Sequence, residues 1–331
     1  MKKILVTGGA GFIGAHLVNK IIENKKYKVM IVDNLKTKGG IPYLNPSAKF
    51  YKGDILNKGT LKIIKKWKPE IIFHLAAQAG GEGSYDNPKK DYLINGYGTM
   101  ELAKLAKDIK CKKFIYTSTV AVYGDSKKKI YENSKIDPDS FYGISKFAGE
   151  MFLKQTLKNT KTNVHIFRLF NTFGPGEDLR NTKKGMVGIY SYYVWQKKPI
   201  LVKGSLNRYR NFMYIDDCVE ILYNSIGNKR LKNYEIINLT TGQKVTVKNL
   251  ISKILKVNRI KKHSLISKKN TPGDSFGTHA STNLLKKKFK GLKFTGLEKS
   301  LKKYFDWINK LPTNSKLNKY HPLREKNKDW T

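Results

Sequence analysis

One stretch near the N-terminus limits the fold more than any other: KILVTGGAGFIGAHLV, residues 3–18. A short apolar run stops at spaced glycines, and an apolar-periodic helical pattern follows at once. Gly8, Gly11 and Gly14 let the chain turn tightly, approach a pyrophosphate and pack helix against sheet. The helix N-terminus then faces the phosphates. Asp33 closes the next apolar run, 19 residues after Gly14, where a carboxylate meets adenosine ribose hydroxyls. A carboxylate there repels a 2′-phosphate, so NAD is expected over NADP. Asp54 follows the third run in KGDI. It is placed to accept a hydrogen bond from the adenine amine, or to serve as a loop cap.

The first half continues in the same rhythm. KILVTG, YKVMIVDN, KFYKGDI, PEIIFHLAA, KKFIYTST and NVHIFRLFN read as buried strands. Between them HLVNKIIENK, TLKIIKKW, GTMELAKLAKDI and SKFAGEMFLKQTLKN read as helices. This alternation predicts an α/β fold: a Rossmann-type, doubly wound parallel sheet with helices on both faces. The NAD-binding domain is expected over residues 1–172, with a returning strand near 236–242. A smaller, mixed substrate-binding lobe is expected mainly over 173–311, and a polar tail over 312–331.

The chain has 331 residues and a formal net charge of +40. Such charge can signal nucleic-acid binding. Here the lysines are spread rather than clustered, arginine is scarce, and no nucleic-acid module appears, so no nucleic-acid partner is expected. The positive field suits small anionic substrates such as sugar nucleotides. The glycines interrupt the N-terminal apolar run, which argues against a signal peptide, and no run reaches membrane-span length. Cys111 and Cys218 lie far apart without ligand spacing. They point to a reducing cytoplasm and to neither a disulfide nor a metal site.

Tyr142 and Lys146 stand four apart in YGISKFAGE, so a helix brings both side chains to one face. A tyrosine ionises near pH 10, but a neighbouring ammonium stabilises the phenolate, and a positive nicotinamide ring does so further. Tyr142 could then take a hydroxyl proton while NAD takes the hydride. Alone, such a pair is more often packing or a solvated face. Three features alter that balance. TSTVAVYG at 117–124 offers the hydroxyls of Ser118 and Thr119 after a strand. The glycine loop supplies a hydride acceptor. HLAAQAG at 74–80 gives small residues where a strand end passes beneath a cofactor.

Further motifs stand in order: S-x-x-x-P-x-x-x-Y-x-x-N over 84–95, RLFNTFGPG, and RNFMYIDD at 210–217. With those above, the chain resembles the extended short-chain dehydrogenase/reductases over roughly residues 1–310, specifically the NAD-dependent sugar-nucleotide epimerase/dehydratase group. The resemblance implies that Tyr142 is the acid/base, that Lys146 holds the cofactor ribose, and that Thr119 hydrogen-bonds the sugar hydroxyl being oxidised. It implies a NAD site with Gly8, Gly11, Phe12, Ile13, Gly14, Asp33, Asn34, Asp54, Ile55, Ala76, Ala77, Gln78, Asn95 and Thr117, besides Tyr142 and Lys146. On the substrate side it implies Ser118, set beside the site, Thr119, Asn171 and Arg210, the last gripping the diphosphate. It also implies a homodimer through a four-helix bundle built from helices near 96–109 and 141–157. Phe147, Met151 and Phe152 would serve that bundle or the core.

The chain departs from the group's pattern in two places. Dehydratases carry an Asp-Glu pair after the strand-end threonine, and decarboxylases of UDP-glucuronate a glutamate. Here stand Val120 and Ala121, which cannot transfer protons. Many relatives place an arginine before Pro-Gly-Asp to hold the diphosphate; here it is Thr271, with Lys268 and Lys269 upstream. Lysine supplies charge but no bidentate fork. Thr278 is small where some relatives carry a bulky residue that limits the pocket. The expected activity is 4-epimerisation of a UDP-hexose through a 4-keto sugar, as in UDP-glucose 4-epimerases. A 4-keto-sugar reductase/dehydrogenase and a non-catalytic NAD-binding module remain as alternatives. Polysaccharide synthesis is the group-level setting.

Overall fold

The structure is a computed structural model and describes residues 1–36, 44–126, 128–180, 185–269 and 275–311. The expectations for Thr271 and for the tail from 312 lie outside these residues.

Strand β1 (Lys2–Thr7) turns through the glycine loop into α1 (Phe12–Glu23), then β2 (Tyr27–Asp33), β3 (Lys49–Lys52), α2 (Lys58–Trp67) and β4 (Ile71–His74). Two single-turn helices, α3 (Gly81–Ser84) and α4 (Pro88–Asp91), run into a π-helix at Tyr92–Tyr97 and on into α5 (Gly98–Asp108). Then come β5 (Lys113–Thr119), a 3₁₀ turn at Val120–Tyr123, α6 (Phe141–Leu157) and β6 (Asn163–Leu169). The remainder interleaves short strands with helices. These are β7 (Asn171–Phe173), α7 (Met186–Trp195), β8 (Ile200–Lys203), β9 (Tyr209–Arg210), β10 (Phe212–Tyr214) and α8 (Ile215–Asn224). After them come β11 (Tyr234–Leu239), β12 (Val245–Thr246), α9 (Val247–Val257), β13 (Leu265–Lys268), α10 (Asn283–Lys288) and α11 (Leu297–Ile308).

Seven strands form one parallel sheet in the order β11-β6-β5-β4-β1-β2-β3. Both faces are covered, so the strands read as continuous apolar runs rather than as alternating ones. Leu5, Ile72 and Phe114 pack on one face with Leu102 of α5 and Leu153 of α6. Ile4, Val6, Phe73 and Ile115 pack on the other, with Leu17 of α1 and Ile221 of α8. Strand order reverses at β1/β4. In such sheets the crevice outside the carboxyl ends of the strands at that point holds the ligand. Three two-stranded pieces, β7/β10, β9/β12 and β8/β13, build the wall facing that crevice.

Candidate active site

Gly8 lies at φ 72°, in the left-handed region, and a Cβ there would stand 2.5 Å from the Ala76 nitrogen. A Cβ on Gly14 would stand 2.1 Å from the Gly8 oxygen. Only glycine fits either position. No side chain caps α1, and its first residues open into a cleft of about 510 Å³. Gly8, Gly11, Phe12, Ile13, Gly14, Asp33, Asn34, Asp54, Ile55, Ala76, Ala77, Gln78 and Thr117 all border this cleft. Asp33 accepts from the backbone N–H of Leu35 at 2.8 Å and of Ala10 at 3.0 Å. Burial raises the Asp33 pKa, and those two amides oppose the rise. Burial also acts upward on Asp54, but hydrogen bonds from Leu56, Asn34 and Lys36 outweigh it and leave the carboxyl below its ordinary value. Lys36, Lys90 and Asp178 border the cleft too, and no motif marked them.

Asn95 does not border the cleft. The π-helix turns it inward, with its residue fully buried. Its Oδ1 accepts from Gln78 N and its Nδ2 donates to Gln78 O, both at 2.9 Å, and to Ser145 Oγ at 3.0 Å. It clamps the backbone that the cofactor cleft rests on. Like the buried Lys146, it lines neither cleft.

Ser140 caps α6, its hydroxyl accepting from Gly143 N at 3.1 Å. The helix presents Tyr142 to a second cleft of about 270 Å³ and buries Lys146 one turn later. Residues 75–79 border the first cleft and 80–82 the second, so the two adjoin. The Thr119 hydroxyl stands beside the Tyr142 phenol and acts to lower its pKa. Burial outweighs it and pushes the Tyr142 phenol up to about 12. Burial pushes the Lys146 ammonium down to about 7, against the nearby Glu150 carboxylate. The Lys146 Nζ rests 4.0 Å from the centroid of the Tyr116 ring. Burial therefore holds the Tyr142 phenol above its ordinary value, and the expected lowering by Lys146 is corrected; the expected share of the positive nicotinamide ring is a separate contribution.

Ser118 requires a correction as well. Successive side chains of a strand point to opposite faces, and Ser118 leaves the face that Thr117 and Thr119 share. Its hydroxyl donates to Glu150 Oε1 at 2.5 Å, and it does not border the substrate cleft. Glu150 is paired with Arg168, through Nη2 at 2.6 Å and Nε at 3.0 Å, and both are buried. Ser118 supports this buried pair.

Thr119, Tyr142, Asn171 and Arg210 border the substrate cleft. Asn171 donates to the Asn211 carbonyl at 3.1 Å. The Arg210 guanidinium donates to the carbonyls of Tyr209, Phe276 and Ser275. Val120 and Ala121 also border the cleft and bring no proton donor. Thr278 is buried at its edge, and its hydroxyl has no hydrogen-bond partner. Lys268 and Lys269 are exposed and do not reach the cleft. The buried Arg208, which no motif marked, reaches it together with Arg210 and Lys203. Glu82 and Lys203, 121 positions apart, form an ion pair of 2.8 Å across the cleft, also unmarked. No cluster of metal-ligating side chains occurs among the described residues.

The family model described as "NAD dependent epimerase/dehydratase family" matches residues 4–240. The chain belongs to this family. The match covers the glycine loop, Thr119, Tyr142, Lys146, Arg208 and Arg210. A relative, the UDP-glucose 4-epimerase of Pasteurella multocida (strain Pm70), is 30% identical over 334 residues, covering 93% of this chain and 98% of that one. The crystal structure of a Thermotoga maritima UDP-glucose 4-epimerase with UDP-glucose superposes with a TM-score of 0.86 at 31% identity, covering 93% of this chain and 99% of the other. A Bacillus cereus UDP-glucuronic acid 4-epimerase, in complex with UDP-glucuronic acid and NAD, gives 0.84 at 28% identity, with the same coverage of 93% and 99%.

Proposed function

We propose that this family member is a NAD-dependent sugar-nucleotide 4-epimerase acting on a UDP-hexose through a transient 4-keto sugar. The observation that carries this reading is the Tyr142–Thr119 pair, standing where the two clefts adjoin with no second proton-transfer group at Val120 or Ala121. The first cleft fits NAD. The glycines leave room that a Cβ would fill, the α1 amides face inward, and Asp33 stands where ribose hydroxyls meet a carboxylate. Gly8, Gly11, Gly14 and Asp33 would hold NAD, which would supply a reversible hydride acceptor for carbon 4 of the sugar.

The chain's own groups do the rest. Tyr142 takes the proton of the 4-hydroxyl and later gives it back. Thr119 holds that hydroxyl beside the tyrosine. Lys146 supplies positive charge one helical turn away and holds the cofactor ribose. Arg210 and Arg208 hold the diphosphate at the far end, so the nucleotide stays fixed while the sugar turns over. The small Thr278 leaves room for an N-acetyl group. Residues 1–172 with β11 carry the cofactor side, and the substrate side is shared between them and the later elements.

We also propose a cytoplasmic homodimer. Tyr92, Tyr97 and Ile144 are exposed around α5 and α6, as two packed bundle faces require, and Met151 and Phe152 are half-buried beside them. Phe147 instead packs with Val122 and Ile130. No described helix is long and apolar enough to cross a membrane. Polysaccharide precursor supply is the setting this activity serves.

Tyr142→Phe tests the acid/base role. Turnover should fall by about 10²–10⁴-fold, with binding of NAD and UDP-sugar by calorimetry unchanged. Near-wild-type turnover in that variant would remove Tyr142 from the mechanism.

A further inference from the structure

We propose that Tyr116 is a positioning residue for Lys146, its ring face, backed by His74, forming the seat on which the ammonium rests. The kinetic part of this inference depends on the acid/base reading above. Thr7, His74 and Tyr116 are register partners on β1, β4 and β5, so their side chains leave the sheet on one face, beneath α6. His74 stacks on Tyr116 with centroids 5.4 Å apart and planes 26° from parallel. The Lys146 Nζ lies 4.0 Å from the Tyr116 centroid. Within such a distance an aromatic face attracts a cation, and most strongly when both are dry. Lys146 is 1% exposed and Tyr116 and His74 are 0% exposed.

His74 is fixed in turn. Thr99 Oγ1 donates to the Asn95 carbonyl at 2.6 Å, so His74 Nε2 donates to Thr99 at 2.9 Å. The other ring nitrogen, Nδ1, accepts from Thr7 Oγ1 at 2.7 Å. Burial and the nearby Lys146 charge both hold this imidazole neutral, so it does not repel the ammonium. A Cβ on Gly149 would lie 2.5 Å from the Tyr116 hydroxyl, so the helix is cut away to let the ring through. The other groups around Lys146 are Tyr142 and Glu150 on α6, Arg168 on β6 behind Glu150, and Asp91 on α4 on the Tyr142 side. Of these only the Glu150 carboxylate also favours the ammonium, by charge, and it is itself paired with Arg168.

The test replaces residue 116 by phenylalanine, trifluorophenylalanine and leucine. Trifluorophenylalanine keeps the ring's shape but weakens its hold on a cation, so it stands in if the leucine variant does not fold. The first readout needs no turnover. The ¹³Cε signal of Lys146, assigned by its loss in Lys146→Arg, is titrated against pH. Tyr116→Phe should keep the wild-type midpoint, while leucine and trifluorophenylalanine should lower it by about one pH unit. The second readout is kcat, which should hold for phenylalanine and fall roughly tenfold for the other two, with KM unchanged. An equal midpoint and equal kcat for phenylalanine and trifluorophenylalanine would overturn the proposal. If the wild type turns over no sugar nucleotide, the functional reading fails and the Lys146 midpoints still decide the seat.

Discussion

Lys146→Met should make the ligand-free protein more stable and inactive at once. Burial moves the Lys146 ammonium from 10.5 down to about 7. The folded chain therefore binds fewer protons than the unfolded chain between about pH 7 and 10.5, and stability rises with pH across that window. The cost of keeping the charge inside is present in full below pH 7 and gone above 10.5. A difference of that size corresponds to a ceiling on the order of 5 kcal/mol. Methionine fills the same channel, carries no charge, and meets the Tyr116 ring through its sulfur. At pH 6 the variant should melt about 4–10 °C above the wild type by scanning fluorimetry. At pH 9.5 most of that gain should be gone. Equal or lower stability at pH 6, or a gain that does not shrink with pH, would refute the reasoning.

Ser118→Ala removes the hydroxyl that donates to Glu150, leaving a buried carboxylate one partner short. It should cost about 1–3 kcal/mol in urea unfolding and leave kcat within a few-fold, since the hydroxyl faces away from the sugar. A large kcat loss at full stability would return Ser118 to the substrate. Gly14→Ala places a methyl 2.1 Å from the Gly8 oxygen. NAD binding by calorimetry should become undetectable, and wild-type affinity would show that the glycine loop is not the cofactor's cradle.

The sheet was legible because a parallel sheet buried on both faces leaves unbroken apolar runs. The glycine loop was legible because backbone approach to a phosphate admits few residue types. What escaped was the direction in which individual side chains point. Strand alternation separates Ser118 from Thr119, yet the hydroxyl pair TST draws attention to both. Asn95 falls at the expected position but on a π-helix, which turns it under the cleft, and nothing in YLINGY distinguishes that turn from an α-helix. The Glu82–Lys203 pair meets through tertiary packing over more than a hundred positions, which carries no local signal, and Arg208 lies just outside the RNFMYIDD motif. The seat beneath Lys146 depends on the register of three strands, and a slip of one residue would turn His74 or Tyr116 to the other face. The depressed lysine and raised tyrosine follow from burial, which spacing does not report.

The central claim is inversion at carbon 4 with no net oxidation. Its most direct test incubates the purified protein, with and without added NAD, against UDP-glucose, UDP-galactose and their N-acetyl and uronate forms. The anomeric proton signals are followed by NMR. The account predicts that a second anomeric signal grows from one of these sugars, at unchanged mass, until both 4-epimers stand at equilibrium. No epimer from any of them, even with NAD, together with consumption of added NADPH by a 4-keto sugar, would contradict it.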